Sequence, residues 1–178
     1  MSQTQTAQAV GDDLLALAEA LLNDVGHILA AFPDNALNET LIGFSNTPYV
    51  LIHHLLGSAR YWIGEVVGSV PTGRVRAEEF GAAGTRADLE TRLQDTRERL
   101  TRALKGLNDR DLTPHPIDLS RGVLSWGFLP PDGRTSVWVV AHDLAHMAYH
   151  LGQLRLMRQS RSNRNLAATS TAASEEPR

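Results

Sequence analysis

The chain of 178 residues contains no cysteine. Disulfides, thiolate metal sites and cysteine nucleophiles are thereby excluded, so any metal ion has to be held by imidazole and oxygen. Excess positive charge is also lacking: 17 Lys and Arg stand against 20 Asp and Glu, for a net charge of −3 with histidines neutral. A dedicated nucleic-acid binder needs a basic face or stripe, and that balance argues against one. Residues 1–10 are polar and lack the basic and apolar regions of a secretory leader. No apolar run is expected to reach the roughly 18 to 20 residues that a bilayer crossing needs. The expectation is a cytoplasmic protein with neither a membrane nor a nucleic acid as partner. A phosphate-cradling glycine loop, an ordered Ser-His-Asp set, a paired-carboxylate site and internal repeats are missing as well.

What is there reads as a soluble globular chain, 42% hydrophobic and 21% charged, long enough for one cored domain plus a tail. From about Ala7 to Phe32, the residues Leu14, Leu17, Ala18, Leu21, Val25, Ile28, Leu29 and Phe32 recur at intervals of three and four, which predicts an amphipathic helix. Pro33 ends it. Asn46-Thr47-Pro48 is a helix start, and the second helix runs to Gly68. Residues 69–84 read as a long polar connection. Thr85 and Asp88 form a variant capping box that opens a third helix, with Leu89, Leu93, Leu100, Leu104 and Leu107 on its apolar side. The Arg and acidic residues on its other side, Arg92 among them, read as a solvated face without function. Prolines and glycines between Asn108 and Gly133 rule out a long helix and leave room for extended pieces such as residues 123–126. Thr135 or Ser136 caps a fourth helix to about Gln159, and residues 161–178 read as a disordered tail. The expected architecture is all-α: a four-helix bundle over residues 1–160, with a long crossing connection.

Five of seven histidines fall on the second and fourth helices. His142, His146 and His150 are spaced four apart. Neighbours at that spacing lie about 5–6 Å apart on one face, close enough to share an ion. His142 and His150 are about 12 Å apart along the axis, so one adjacent pair can ligate but not all three. A column of imidazoles at the edge of the core is costly unless hydrogen-bonded or metallated. The second helix supplies a third donor from His53 or His54, a choice that periodicity leaves open. Gly152 costs helix stability, which predicts that something packs closely against it.

The segment His54-Leu55-Leu56-Gly57-Ser58-Ala59-Arg60-Tyr61-Trp62 resembles the second-helix motif of the DinB/YfiT-like superfamily. His146-Met147-Ala148-Tyr149-His150-Leu151-Gly152-Gln153 is similar to its closing motif, H-x-x-x-H-x-G-Q. The resemblance covers about residues 8–160. It implies an up-down-down-up bundle, often dimeric, in which His54, His146 and His150 hold one divalent ion, nickel or zinc. His142 falls outside that triad: a pocket-lining residue or a plain surface histidine.

Three imidazoles leave coordination positions open, as catalytic sites require. Ligand type alone does not name the ion. Such an ion lowers the pKa of a bound water or thiol, so both hydrolysis and thiol transfer follow. The resemblance implies a transferase using a low-molecular-weight thiol on an electrophilic substrate, in detoxification or stress response. Its alternatives are a hydrolase and a metal-binding stress protein without turnover. Tyr61, Trp62, Trp126, Trp138 and Tyr149 are expected mainly in the core. Arg60, Arg74, Arg76 and Arg134 can clamp a carboxylate, but loop arginines are usually solvated and none is singled out. Gln153 is expected to hydrogen-bond within the bundle, and Asp143 to sit on the surface.

Overall fold

The computed structural model describes residues 3–41, 43, 46–117 and 133–174, with side chains between residues 5 and 164. Helix α1 spans Gln3–Ala31. Its buried stripe is Ala18, Leu22, Val25, Ile28 and Leu29, the three-and-four spacing that puts residues on one face. Leu17, expected on the stripe, lies at its edge and is 51% exposed. The chain leaves α1 where Pro33 adopts an extended conformation (φ −68°, ψ 151°). The last carbonyls of α1 still need donors. Arg86, at the start of the helix that opens after Thr85, supplies them, donating to Leu29 O at 2.7 Å and Phe32 O at 2.5 Å.

Helix α2 covers Pro48–Ala59 and begins as the sequence indicates, with Thr47 Oγ1 accepting from Val50 N at 3.1 Å. It continues without a break as a π-helical stretch, Arg60–Val67. Gly68 N reaches back five residues to Ile63 O, at 2.9 Å. This wider turn brings Tyr61 and Trp62 both into the interior, although they are sequence neighbours. The following connection is not simply polar and solvated: it holds a short helix α3, Arg76–Glu79, and buries Arg74 and Glu79.

Helix α4, Arg86–Lys105, opens on the Thr85/Asp88 capping box with both reciprocal bonds present. Helix α5, Ser136–Ser174, is capped by Thr135, whose Oγ1 accepts from Trp138 N at 3.0 Å. Where an irregular tail was expected from residue 161, the backbone stays helical to Ser174. No glycine or proline interrupts the sequence between Gly152 and Pro177, and Arg161 pairs with Glu39 at 2.8 Å. Residues 175–178, the remainder of that tail, and the extended piece expected at 123–126 both lie outside the described residues.

Helices α1 and α2 each pack against both α4 and α5. The core between them combines Leu22, Val25 and Leu29 with Leu55, Leu56, Leu100, Leu104, Met147, Leu151 and Leu154. The fold is all-α as expected. Among the described residues there is no strand, only an isolated bridge between His115 and Arg134. One correction concerns length and apolarity. Within Gln5–Ala31 an 18-residue window with a mean hydropathy of 1.5 does reach what a membrane span requires by length and composition alone. In the bundle its apolar stripe is core.

Candidate metal centre

The site forms where α2 faces α5. A turn of α5 separates His146 from His150, and their Nε2 atoms stand 3.0 Å apart. His54, across the bundle on α2, is buried, with its ring centroid 5.2 Å from that of His146 and 5.1 Å from that of His150. One nitrogen from each of the three lies within 4.8 Å of the others. Of the two second-helix histidines, the structure thus brings His54 to the α5 pair. His53 turns the other way and stacks on Tyr49, ring centroids 5.9 Å apart.

Each ring is oriented by its surroundings. His54 Nδ1 sits 2.7 Å from Glu79 Oε2, so its proton is held there and Nε2 is left as the lone-pair nitrogen. Glu79 is itself clamped by Arg74, which donates from Nε to Oε1 at 2.7 Å and from Nη2 to Oε2 at 2.8 Å. Burial alone pushes the Glu79 carboxyl up. The hydrogen bonds from Arg74 and His54 outweigh it and bring the group down to about 2, so it is a carboxylate throughout the neutral range. His150 Nδ1 lies 2.7 Å from Gln153 Oε1, which fixes the same tautomer in that ring. His146 is pushed down to about 3, first by burial and then by His150 and His54, and is neutral at pH 7.

Gly57 makes the Glu79 contact possible. A Cβ at this position would stand 2.3 Å from Glu79 Oε1, so only glycine lets the carboxylate cross over α2 to reach His54. Gly152 is the opposite case. Nothing lies within 4 Å of where its Cβ would be, so the close packing expected there is absent and no neighbour explains the glycine.

The surroundings correct other expectations. Asp143 is not a surface residue but fully buried, because it shares the α5 face that meets α2. It accepts from Ser58 Oγ at 2.7 Å and lies 4.0 Å from His146 Nδ1. Burial raises its carboxyl to about 7, against the smaller lowering effects of Ser58 and Arg74. Arg74, read as one solvated loop arginine among several, is buried in the ion pair with Glu79. Arg92, assigned to the solvated face of α4, turns toward α2. His142, left open between a pocket-lining and a surface residue, is buried, stacked on Trp138 at 5.3 Å and edge-on to Trp62 at 6.2 Å. With His54, His146, Trp62, Ser58 and Arg74 it lines a small cavity of about 10 Å³, with exposed Arg76 at its rim. Tyr61 and Trp62 are buried as expected, Tyr149 is 52% exposed, and Trp126 lies outside the described residues. Glu79 is the functional residue that sequence reasoning missed: it meets His54 across 25 residues, by way of the irregular connection that follows Val67.

The donors present fit a divalent ion. Two imidazole nitrogens that each sit about 2.1 Å from one ion lie roughly 3 to 3.4 Å apart, close to the 3.0 Å seen here between His146 and His150. Without an ion the same distance is spanned by a hydrogen bond from His146 Nε2–H to His150 Nε2, whose ring keeps its own proton on the nitrogen that faces Gln153. A neutral His146 ring and a carboxylate behind His54 are what a bound cation favours. No curated protein and no solved structure matches the chain significantly. A family model for the DinB superfamily matches residues 9–154, and the chain belongs to that superfamily.

Proposed function

We propose that the protein holds one divalent ion, nickel or zinc, through Nε2 of His54, His146 and His150, and uses it to transfer a small-molecule thiol to an electrophile in detoxification or stress response. The observation that carries this reading is the convergence of three imidazoles whose outward nitrogens, at His54 and His150, are tied back by Glu79 and Gln153. A bound ion would supply Lewis acidity, lowering the pKa of a thiol or water in an open position. The chain's own residues do the positioning. Arg74 locks Glu79, Glu79 aims His54, and Gln153 aims His150. Trp62 and His142 wall the cavity against solvent, and the exposed Arg76 guanidinium at its rim, resting over the Phe80 ring at 5.0 Å, is placed to meet an anionic group of an incoming thiol. A cytoplasmic homodimer is part of the same reading, in keeping with a chain that carries no cysteine.

Hydrolysis is favoured by one feature: a cavity of about 10 Å³ accommodates a water, whereas a thiol needs the Arg76 rim to move. The discriminating experiment begins with elemental analysis, expected to give close to one ion per chain in the native protein and none in His146→Ala. The loaded protein is then offered monochlorobimane with a small thiol, and activated esters without one. Thiol-dependent, chelator-sensitive conjugation supports transfer. Ester cleavage without thiol would replace it with hydrolysis, and neither reaction with the metal fully loaded would leave a metal-binding protein without turnover.

A further inference from the structure

A second cavity, about 250 Å³, opens on the far side of Glu79 from the histidines, between α2, α4 and the start of the following connection. Three nitrogen-bearing side chains from these helices line it: His53 from α2, Arg60 from the π-helical stretch that continues it, and Arg92 from α4. The negative charge around them is already committed. Glu79 takes both bonds of Arg74 and that of His54. Asp95 pairs with Arg60 Nε at 2.9 Å while also accepting from Arg99 Nε at 3.0 Å, so two guanidiniums share one carboxylate. Glu78 lies at the rim and is exposed.

Arg92 is left over. Its Nε is buried and has no hydrogen-bond partner, and among the described residues no carboxylate oxygen lies within 4.0 Å of the group. His53 Nδ1 is likewise buried without a partner. Nη2 of Arg92 rests over the glycine of α2, 3.3 Å from where a Gly57 Cβ would be. Burial first, and then the nearby Arg60, push the Arg92 guanidinium down from its ordinary value, and Glu79 and Tyr49 only partly offset them. A guanidinium nitrogen held out of water without a partner is met best by an anion. A planar fork of donors beside a second guanidinium suits a carboxylate or phosphate group, which can be held by two parallel bonds.

We propose that this cavity is a binding site for the oxyanion group of a small molecule, a carboxylate or a phosphate, held by Arg92 and Arg60 with His53 as a further hydrogen-bonding partner. The site is distinct from the histidine cluster and does not rest on the metal-dependent reading above. The two share one wall, since Arg74 and Glu79 separate the oxyanion cavity from His54.

The test is a calorimetric titration of the full chain with inorganic phosphate and, separately, with succinate, at ionic strength held constant with sodium chloride. Wild type is expected to bind at least one of them saturably. Arg92→Gln is expected to weaken that binding at least 10-fold, and His146→Ala to leave it unchanged. Which anion binds identifies the source of the oxyanion. Arg60→Gln takes the place of Arg92→Gln if the latter loses the wild-type helical circular dichroism. No saturable binding of either anion, or binding undiminished in the arginine variant, overturns the proposal. Loss of binding in His146→Ala overturns it too, by placing the anion on the metal.

Discussion

At the scale of the residue, the site depends on charge held out of water, and the cost of each burial sets a prediction. Glu79 is a buried carboxylate whose ionised form survives only because Arg74 and His54 donate to it. Glu79→Gln keeps the shape and removes the charge, and metal affinity measured by competition with a chelator is expected to fall roughly 10- to 100-fold, the usual effect of losing such a partner. Unchanged affinity would mean that Glu79 does not orient His54. The His146 ring is held neutral, with its folded pKa far below the ordinary 6.5. As pH falls below about 6.5 the unfolded chain takes up that proton first, so the metal-free protein loses stability between 6.5 and 3 and gains nothing from this group above 6.5. His146→Gln should therefore flatten the fall in Tm between about pH 7 and pH 5. Asp143 carries the opposite sign. Its folded pKa of about 7 lies above the ordinary 3.8, so its burial costs stability that grows as pH rises from 3.8 through 7. Asp143→Asn, which can still accept from Ser58, is expected to raise Tm of the metal-free protein by at least about 2–4 °C at pH 8, the shift that roughly 1 kcal/mol gives in a chain of this size. Near pH 4 the gain should vanish, and equal Tm values at pH 8 would contradict the burial argument.

At the scale of the element, α2 bears a glycine in its interior for a reason that helix propensity does not contain. Alanine at Gly57 would favour the helix by about 1 kcal/mol on propensity alone. Its Cβ would nevertheless meet Glu79 Oε1 at 2.3 Å, and the carboxylate would have to leave His54. Gly57→Ala is expected to weaken metal binding about 10-fold or more, as for loss of the partner itself, with no gain in Tm. Retained affinity with higher Tm would show that Glu79 finds another route. Much at this scale was legible in sequence, because caps and apolar spacing are local: Thr47, Thr85 and Thr135 each accept the first-turn bond that their positions imply. The extension of α5 past residue 160 was not, since its composition reads as unstructured and only the lack of glycine or proline argues for continuity. The π-helical stretch from Arg60 to Val67 gives no sign in the sequence either, and it alters which residues face inward.

At the scale of the whole molecule, the pattern separates what one helix determines from what two must agree on. The pairing of His146 with His150 follows from a spacing of four on α5. The choice of His54 over His53 does not follow from periodicity, since both flank an apolar face; it needs the packing of α2 against α5, and the family motif anticipates it. Glu79, Arg74 and the inward turn of Arg92 were out of reach because each acts across an irregular connection or a helix pair, where no repeat carries information. Asp143 was misread because a charged residue on a helix is usually solvated, and its burial shows only once α2 places Ser58 opposite it. Since the three imidazoles come from α2 and α5, an ion would join elements far apart in sequence and stabilise the folded state alone. At a free ion concentration of 100 times Kd this amounts to about 2.7 kcal/mol, or roughly 5–11 °C in Tm for a chain of this length.

X-ray absorption spectroscopy of the metal-loaded protein tests the central claim most directly. The account predicts a first shell containing three imidazole nitrogens at about 2.0–2.1 Å, together with oxygen or nitrogen donors in the open positions, and only two imidazoles in His54→Ala. A shell with one imidazole or none, or a spectrum that is identical in His54→Ala, would contradict it.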